Sequence, residues 1–137
     1  MSNRAIEPDL FALTLNNVLE EFHEEVLTGV SKETDQAMKR LVKRSKNDAP
    51  KRELKGRAAG TYAKHIASKV SYSSSTGYSK LWYVKAPEYP LTHLLNNGHA
   101  LHQGGRVEGS YFLSRAAEDE AKAYELAVRQ VIERASR

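Results

Sequence analysis

Leu15, Leu19, Phe22, Val26, Val30, Ala37 and Leu41 recur at three- and four-residue spacings, apart from a gap at Thr34. Glu20, Glu21, Glu24, Glu25, Lys39, Arg40 and Lys43 fall between them. One apolar stripe beside one charged face is the pattern of an amphipathic helix. We read a helix over about 9–47, capped by Asp9 after Pro8 or begun at Glu7. It closes before Pro50, which disfavours helix at Ala49. Unbroken, that helix would be roughly 58 Å long at 1.5 Å per residue. A compact chain of 137 residues should be only about 35–40 Å across. The helix therefore either bends, around Thr28–Gly29, or projects from the domain and packs on a partner.

The remaining segments are shorter. Residues 50–61 are basic and contain glycine, which reads as an exposed loop. A β region spans about 62–112. Its first strand runs from Tyr62 to Tyr72, with Ile66 and Val70 facing inward. Ser73–Gly77 is turn-like, and Leu81 to Val84 form a second strand closed by Pro87 and Pro90. Leu91 to Leu95 suit a helical turn ended by Asn96, Asn97 and Gly98. Gly104 and Gly105 mark a tight connection, and Val107 to Phe112 a further strand weakened by Gly109. A second helix is expected over about 114–135, capped by Ser114. Ala117, Ala121, Tyr124, Val128, Val131 and Ile132 form its apolar stripe. This order predicts one α+β domain, its long N-terminal and C-terminal helices packed on a small antiparallel β-sheet.

Composition narrows the chemistry. The absence of cysteine excludes disulfides, zinc–thiolate sites and cysteine nucleophiles. No apolar h-region opens the chain and no apolar run approaches 18 residues, so neither a signal peptide nor a membrane span is expected. The net charge of +4 is too small by itself to indicate a nucleic-acid binder. Its distribution says more. Residues 1–36 carry a net −6, residues 37–80 a net +10, and residues 81–137 balance. The two blocks can neutralise each other within one subunit, remain solvated, or join the acidic surface of one subunit to the basic surface of the next.

Three groups of residues are candidates for function. His93, His99 and His102 could bind a metal or act as bases, but Glu88 and Glu108 fall at no recognised ligand spacing. Structural histidines bonded to loop carbonyls are the plainer reading. Gly104, Gly105 and Arg106 could cradle an anion, although two glycines are a weak signal. Lys39, Arg40, Lys43, Arg44, Lys46, Lys51, Arg52, Lys55 and Arg57 form a basic cluster suited to non-specific phosphate contact. Aromatic residues are not interleaved with it, which argues against a single-strand stacking platform. No phosphate-binding, dinucleotide-binding, serine-hydrolase or zinc-protease motif occurs.

Several segments together resemble a known group. These are Lys46-Asn47-Asp48-Ala49-Pro50, Gly60-Thr61-Tyr62-Ala63-Lys64, the stretch from Leu91-Thr92-His93-Leu94-Leu95 through Asn96-Asn97-Gly98-His99-Ala100, and Gly104-Gly105-Arg106-Val107. In this order the chain is similar to the gene-ten-like neck and tail-completion proteins of long-tailed bacteriophages. The likeness covers roughly residues 10–135, and Leu91 to Val107 is its specific part. Residues 51–59 depart from the family pattern as an insertion. Tyr111-Phe112-Leu113 stand where the family has a proline before the last helix.

The resemblance implies a virion component at the head–tail interface that assembles as a homo-oligomeric ring, non-enzymatic and without cofactors. His93, Asn97, Gly98, His99, Gly104, Gly105 and Arg106 would then be a structural loop. Lys51, Arg52, Lys55 and Arg57 would contact DNA or a partner. Two other readings stay open: non-specific DNA binding through the basic cluster, and metal-dependent hydrolysis through His93, His99 and His102.

Overall fold

The computed structural model describes residues 8–51, 60–86, 91–101 and 103–137; Arg52, Lys55, Arg57 and His102 lie outside the described residues. The architecture is α+β, as the pattern predicts. Helix α1 (Pro8–Asp48) runs 41 residues without interruption, roughly 61 Å at the helical rise. The expected bend at Thr28–Gly29 does not interrupt it, and Gly29 has another role. The C-terminal helix α4 (Phe112–Ala135) lies antiparallel along the second half of α1. Arg44 meets Asp119 at 2.6 Å, Arg40 meets Glu120 at 2.9 Å, and the Thr34 hydroxyl bonds the Tyr124 hydroxyl at 2.7 Å. Farther along, Val131 sits over Gly29, where an added Cβ would lie 2.5 Å from Cγ1 of the valine. Glycine at 29 is a gap that admits a side chain from α4.

The strands form two separate two-stranded hairpins rather than one sheet. Strand β1 (Ile66–Ser74) pairs antiparallel with β2 (Gly77–Val84), Ile66 opposite Val84, with an irregularity between Val70 and Tyr72. Residues Thr61–Lys64, expected at the start of a strand, instead make the helical turn α2, which buries Tyr62 and Ala63. Ile66 is buried as expected, but Val70 is half exposed. The hydrogen-bonded anchors from the strands to α1 come from β2. Trp82 Nε1 donates to the fully buried Ser45 hydroxyl, which itself donates to the Leu41 carbonyl. The Tyr78 hydroxyl and Lys80 Nζ both reach Asp35. At the tip, His23 Nε2 donates to the Ser75 carbonyl.

The core lies where the end of α1, α2, the base of the first hairpin, helix α3 (Leu91–Asn97) and the start of α4 converge. Ala49, Tyr62, Ala63, Ile66, Val84, Leu91, Leu95 and Phe112 fill it. The Tyr62 ring meets the Phe112 ring edge-on, centroids 6.1 Å apart, and its hydroxyl bonds Thr92. Phe112, expected at the end of a strand, is the first residue of α4 and one of the most buried side chains. On α4, Ala116 and Val131 are buried, whereas Ala121 and Ile132 of the expected stripe face solvent.

The largest departure concerns the first turns of α1. Leu10, Phe11, Leu13, Leu15, Val18, Leu19 and Phe22 are all exposed, most of them by about half. Arg134 near the end of α4 reaches only the level of Glu21–Glu25, and the hairpin tip reaches His23. The helix from Pro8 to Phe22 is therefore an arm of roughly 22 Å whose expected buried stripe has no cover among the described residues.

Two outcomes follow from this packing. Phe112→Ala should lower unfolding free energy by about 3–5 kcal/mol in denaturant titrations, the range for deleting a buried aromatic ring. The Asp35 carboxyl is held below its ordinary value of 3.8, first by the Tyr78 hydroxyl and then by Lys80. A lowered carboxylate stabilises the fold above that value and loses its contribution as pH falls through the depressed one. The stability difference between this chain and Asp35→Asn should thus be full near neutral pH and vanish in strong acid.

Candidate functional site

The stretch from Leu91 to Tyr111 holds most of the candidate residues, and its geometry explains their types. Helix α3 ends in Asn96 and Asn97 and passes into β3 (Gly98–Ala100), which pairs antiparallel with β4 (Arg106–Glu108). The chain then returns past the end of α3, so that Ser110 N–H bonds the Leu95 carbonyl and Tyr111 N–H bonds the Asn96 carbonyl. These bonds satisfy carbonyls that a helix end otherwise leaves without partners.

The buried Asn96 side chain links this return to α4. Its Oδ1 accepts the backbone N–H of Leu113 and of Ser114, both at 3.1 Å. Its Nδ2 donates to Ser114 Oγ and to Asn97 Oδ1. Phe112 N–H reaches Ser110 Oγ, and Arg115 N–H makes the first helical bond to Tyr111. The four orphan donors at the start of α4 are thereby matched one by one. Ser114 was the expected cap. It instead sits inside the first turn, and Tyr111, at φ 55°, takes the position before the helix. A residue 17 positions upstream does the capping, which no local rule of helix starts reveals.

Two glycines are required by close backbone approach. A Cβ on Gly98 would lie 2.3 Å from the Val107 carbonyl oxygen, and one on Gly109 would lie 2.2 Å from that of Asn96. Gly98 also has φ +81°. By contrast, Gly104 and Gly105 adopt positive φ in open space, making the turn between β3 and β4. Leu101 N–H closes that turn on the Gly105 carbonyl. Arg106 donates to the Asn97 carbonyl at 2.6 Å, so its guanidinium ties the turn back to α3.

His93 is exposed and its Nδ1 contacts Asn97 Nδ2 at 3.1 Å. His99 leaves its own Nδ1 buried with no hydrogen-bond partner among the described residues. No group of three or more potential metal ligands occurs among the described residues. The expected site residues His93, Asn97, Gly98, His99, Gly104, Gly105 and Arg106 do not include Asn96, Gly109 and Ser110, on which the contacts between α3 and α4 depend. The available signal was an asparagine pair closing a helical turn next to a glycine, with a second glycine placed to meet it.

The basic cluster divides. Arg40 and Arg44 are engaged with Glu120, Asp119 and Asp48. Lys51 Nζ donates to the carbonyls of Lys46, Asn47 and Ala49, which caps the C-terminus of α1 and suits the negative end of its dipole. Lys39, Lys43 and Lys46 are exposed and have no acidic partner among the described residues. Glu20, Glu21, Glu24 and Glu25 at the other end of α1 are likewise exposed and without cationic partners among those residues. Among the described residues, the two charge blocks thus neutralise each other only in small part.

Substitutions should separate the two kinds of glycine. Asn96→Ala should cost about 1–3 kcal/mol by leaving buried donors unmet, and Gly98→Ala should cost more than Gly104→Ala. The latter should stay near the 1–2 kcal/mol of a left-handed non-glycine residue. Thermal and denaturant unfolding of the three variants, read together, check this order. Comparison with known proteins finds no family model, no curated protein and no solved structure that matches this chain.

Proposed function

We propose that this chain is a structural virion protein of a tailed bacteriophage or prophage, acting at the head–tail interface as a neck or tail-completion component and assembling as an oligomeric ring. The observation that carries this reading is the arm of α1. A helix that exposes Phe11, Leu15, Val18, Leu19 and Phe22 together is built to be covered by another chain. The resemblance of Leu91 to Val107 to the phage proteins supplies the setting. In this role the loop from His93 to Arg106 shapes and stiffens the body, and the arm and charged blocks make the contacts between subunits and with neighbouring head or tail proteins. The role needs no cofactor and no catalytic residue.

A second reading has its own support in Lys39, Lys43 and Lys46, which are exposed and have no acidic partner among the described residues, as phosphate contact requires. Non-specific DNA binding would make retention on duplex DNA fall steeply with salt, and Arg52→Ala with Lys55→Ala and Arg57→Ala would weaken it. Under the virion reading the same triple change impairs particle assembly and leaves retention on DNA weak throughout.

Removing the gene from its phage or prophage should yield filled heads and separate tails that fail to join, visible by electron microscopy. Supplying the intact chain should restore joined particles. Supplying Leu15→Ser with Leu19→Ser, both exposed in the monomer, should not restore them, although the variant folds with unchanged helicity. Normal particles without the chain would overturn the proposal.

A further inference from the structure

We infer that the arm of α1 docks on the second half of α1 in a neighbouring copy of the same chain, its acidic residues meeting that copy's row of lysines. The inference deepens the reading of the chain as a ring component by naming the contact between subunits. It begins from the spacing on the arm. Phe11, Leu15, Val18 and Phe22 alternate by four, three and four residues, and all four are exposed. That alternation is the seam spacing of a helix that packs lengthwise on another helix.

Charge identifies the other helix. At about 100° per residue, Glu21 and Glu25 project from the same sector of α1 as Lys32, Lys39, Lys43 and Lys46, within about 60° of one another. The sector is acidic in the first half of the helix and basic in the second. These glutamates and lysines are exposed and carry no ion pair among the described residues. The chain therefore carries both halves of an interaction that it does not make with itself. Within one copy the halves cannot meet, since Glu25 and Lys43 are 18 residues apart on one uninterrupted helix, roughly 27 Å.

A second copy removes that obstacle by placing Glu21 and Glu25 beside Lys43 and its neighbours. The aliphatic stems of the lysines can then lie over the apolar arm while their ammonium groups reach the glutamates. The apolar part supplies the drive to associate, and the charges choose partner and register. Pairing two arms together would instead leave both lysine rows unmet.

The lack of cysteine makes the contact directly testable. The full chain carrying Glu25→Cys and Lys43→Cys should form disulfides between copies under mild oxidation, read on a non-reducing gel. An intrachain bond is impossible, because Cα atoms more than about 7 Å apart cannot be bridged. Both positions are exposed, and circular dichroism verifies that the variant folds. Each single variant should cross-link several-fold less. Adding Lys39→Glu with Lys46→Glu should lower the cross-linked fraction of the double-cysteine chain by a similar factor. High salt should reduce it too, as the screening length shrinks from about 10 Å to 3 Å between 0.1 and 1 M.

A ladder of dimers, trimers and larger species supports the head-to-tail contact within a ring. A dimer band alone upholds the contact and counts against the ring. Cross-linking no greater than that of the single variants overturns the contact, whether or not the chain is needed to join heads to tails.

Discussion

The amide of Asn96 ties the end of α3 to the start of α4. It is buried at the end of α3, and its oxygen and nitrogen are both committed at the start of α4. It thereby fixes the start of α4, which goes on to pack along the second half of α1. Phe112 enters the core at that point and meets Tyr62 edge-on. The glycines at 98 and 109 follow from the same arrangement, since the returning strand must pass within backbone contact of α3.

A second constraint is the mismatch between α1 and everything that covers it. The helix has 41 residues and α4 has 24. The first hairpin adds cover only as far as His23. Among the described residues, what remains is a helical arm whose apolar side chains are exposed, beside a small core. Apolar surface of that extent is costly in water and characteristic of surfaces that meet other chains. Length and exposure together are the observations on which the proposed assembly role rests.

Parts of this were legible in the residues alone. The apolar periodicity located both long helices to within a few residues, and the Ser–Thr–Gly cluster located the first hairpin turn. Gly104 and Gly105 signal a tight connection, and both adopt positive φ in the turn before β4. The failures share a cause. Leu15, Leu19 and Phe22 have the spacing of a buried stripe, but spacing cannot say whether anything in the same chain is near enough to bury it. Ser114 satisfies the local rule for a helix cap, yet the helix starts two residues earlier because Asn96 arrives from a distant segment. Lys51 reads as part of a basic surface, and only the turn after Asp48 folds its ammonium back onto three carbonyls.

What the sequence determined by itself is therefore local and periodic. It specified the two long helices, the turn of the first hairpin, the glycine turn at Gly104 and Gly105, and how acidic and basic residues are segregated. These depend on neighbours within a few positions, where steric and hydrogen-bonding rules act directly. The tertiary structure decided which faces are covered. It placed Val131 in the gap at Gly29, turned Asn96 toward α4, split the strands into two hairpins and left the first turns of α1 without cover among the described residues. Those outcomes depend on distances between segments far apart in the chain, which no local pattern encodes.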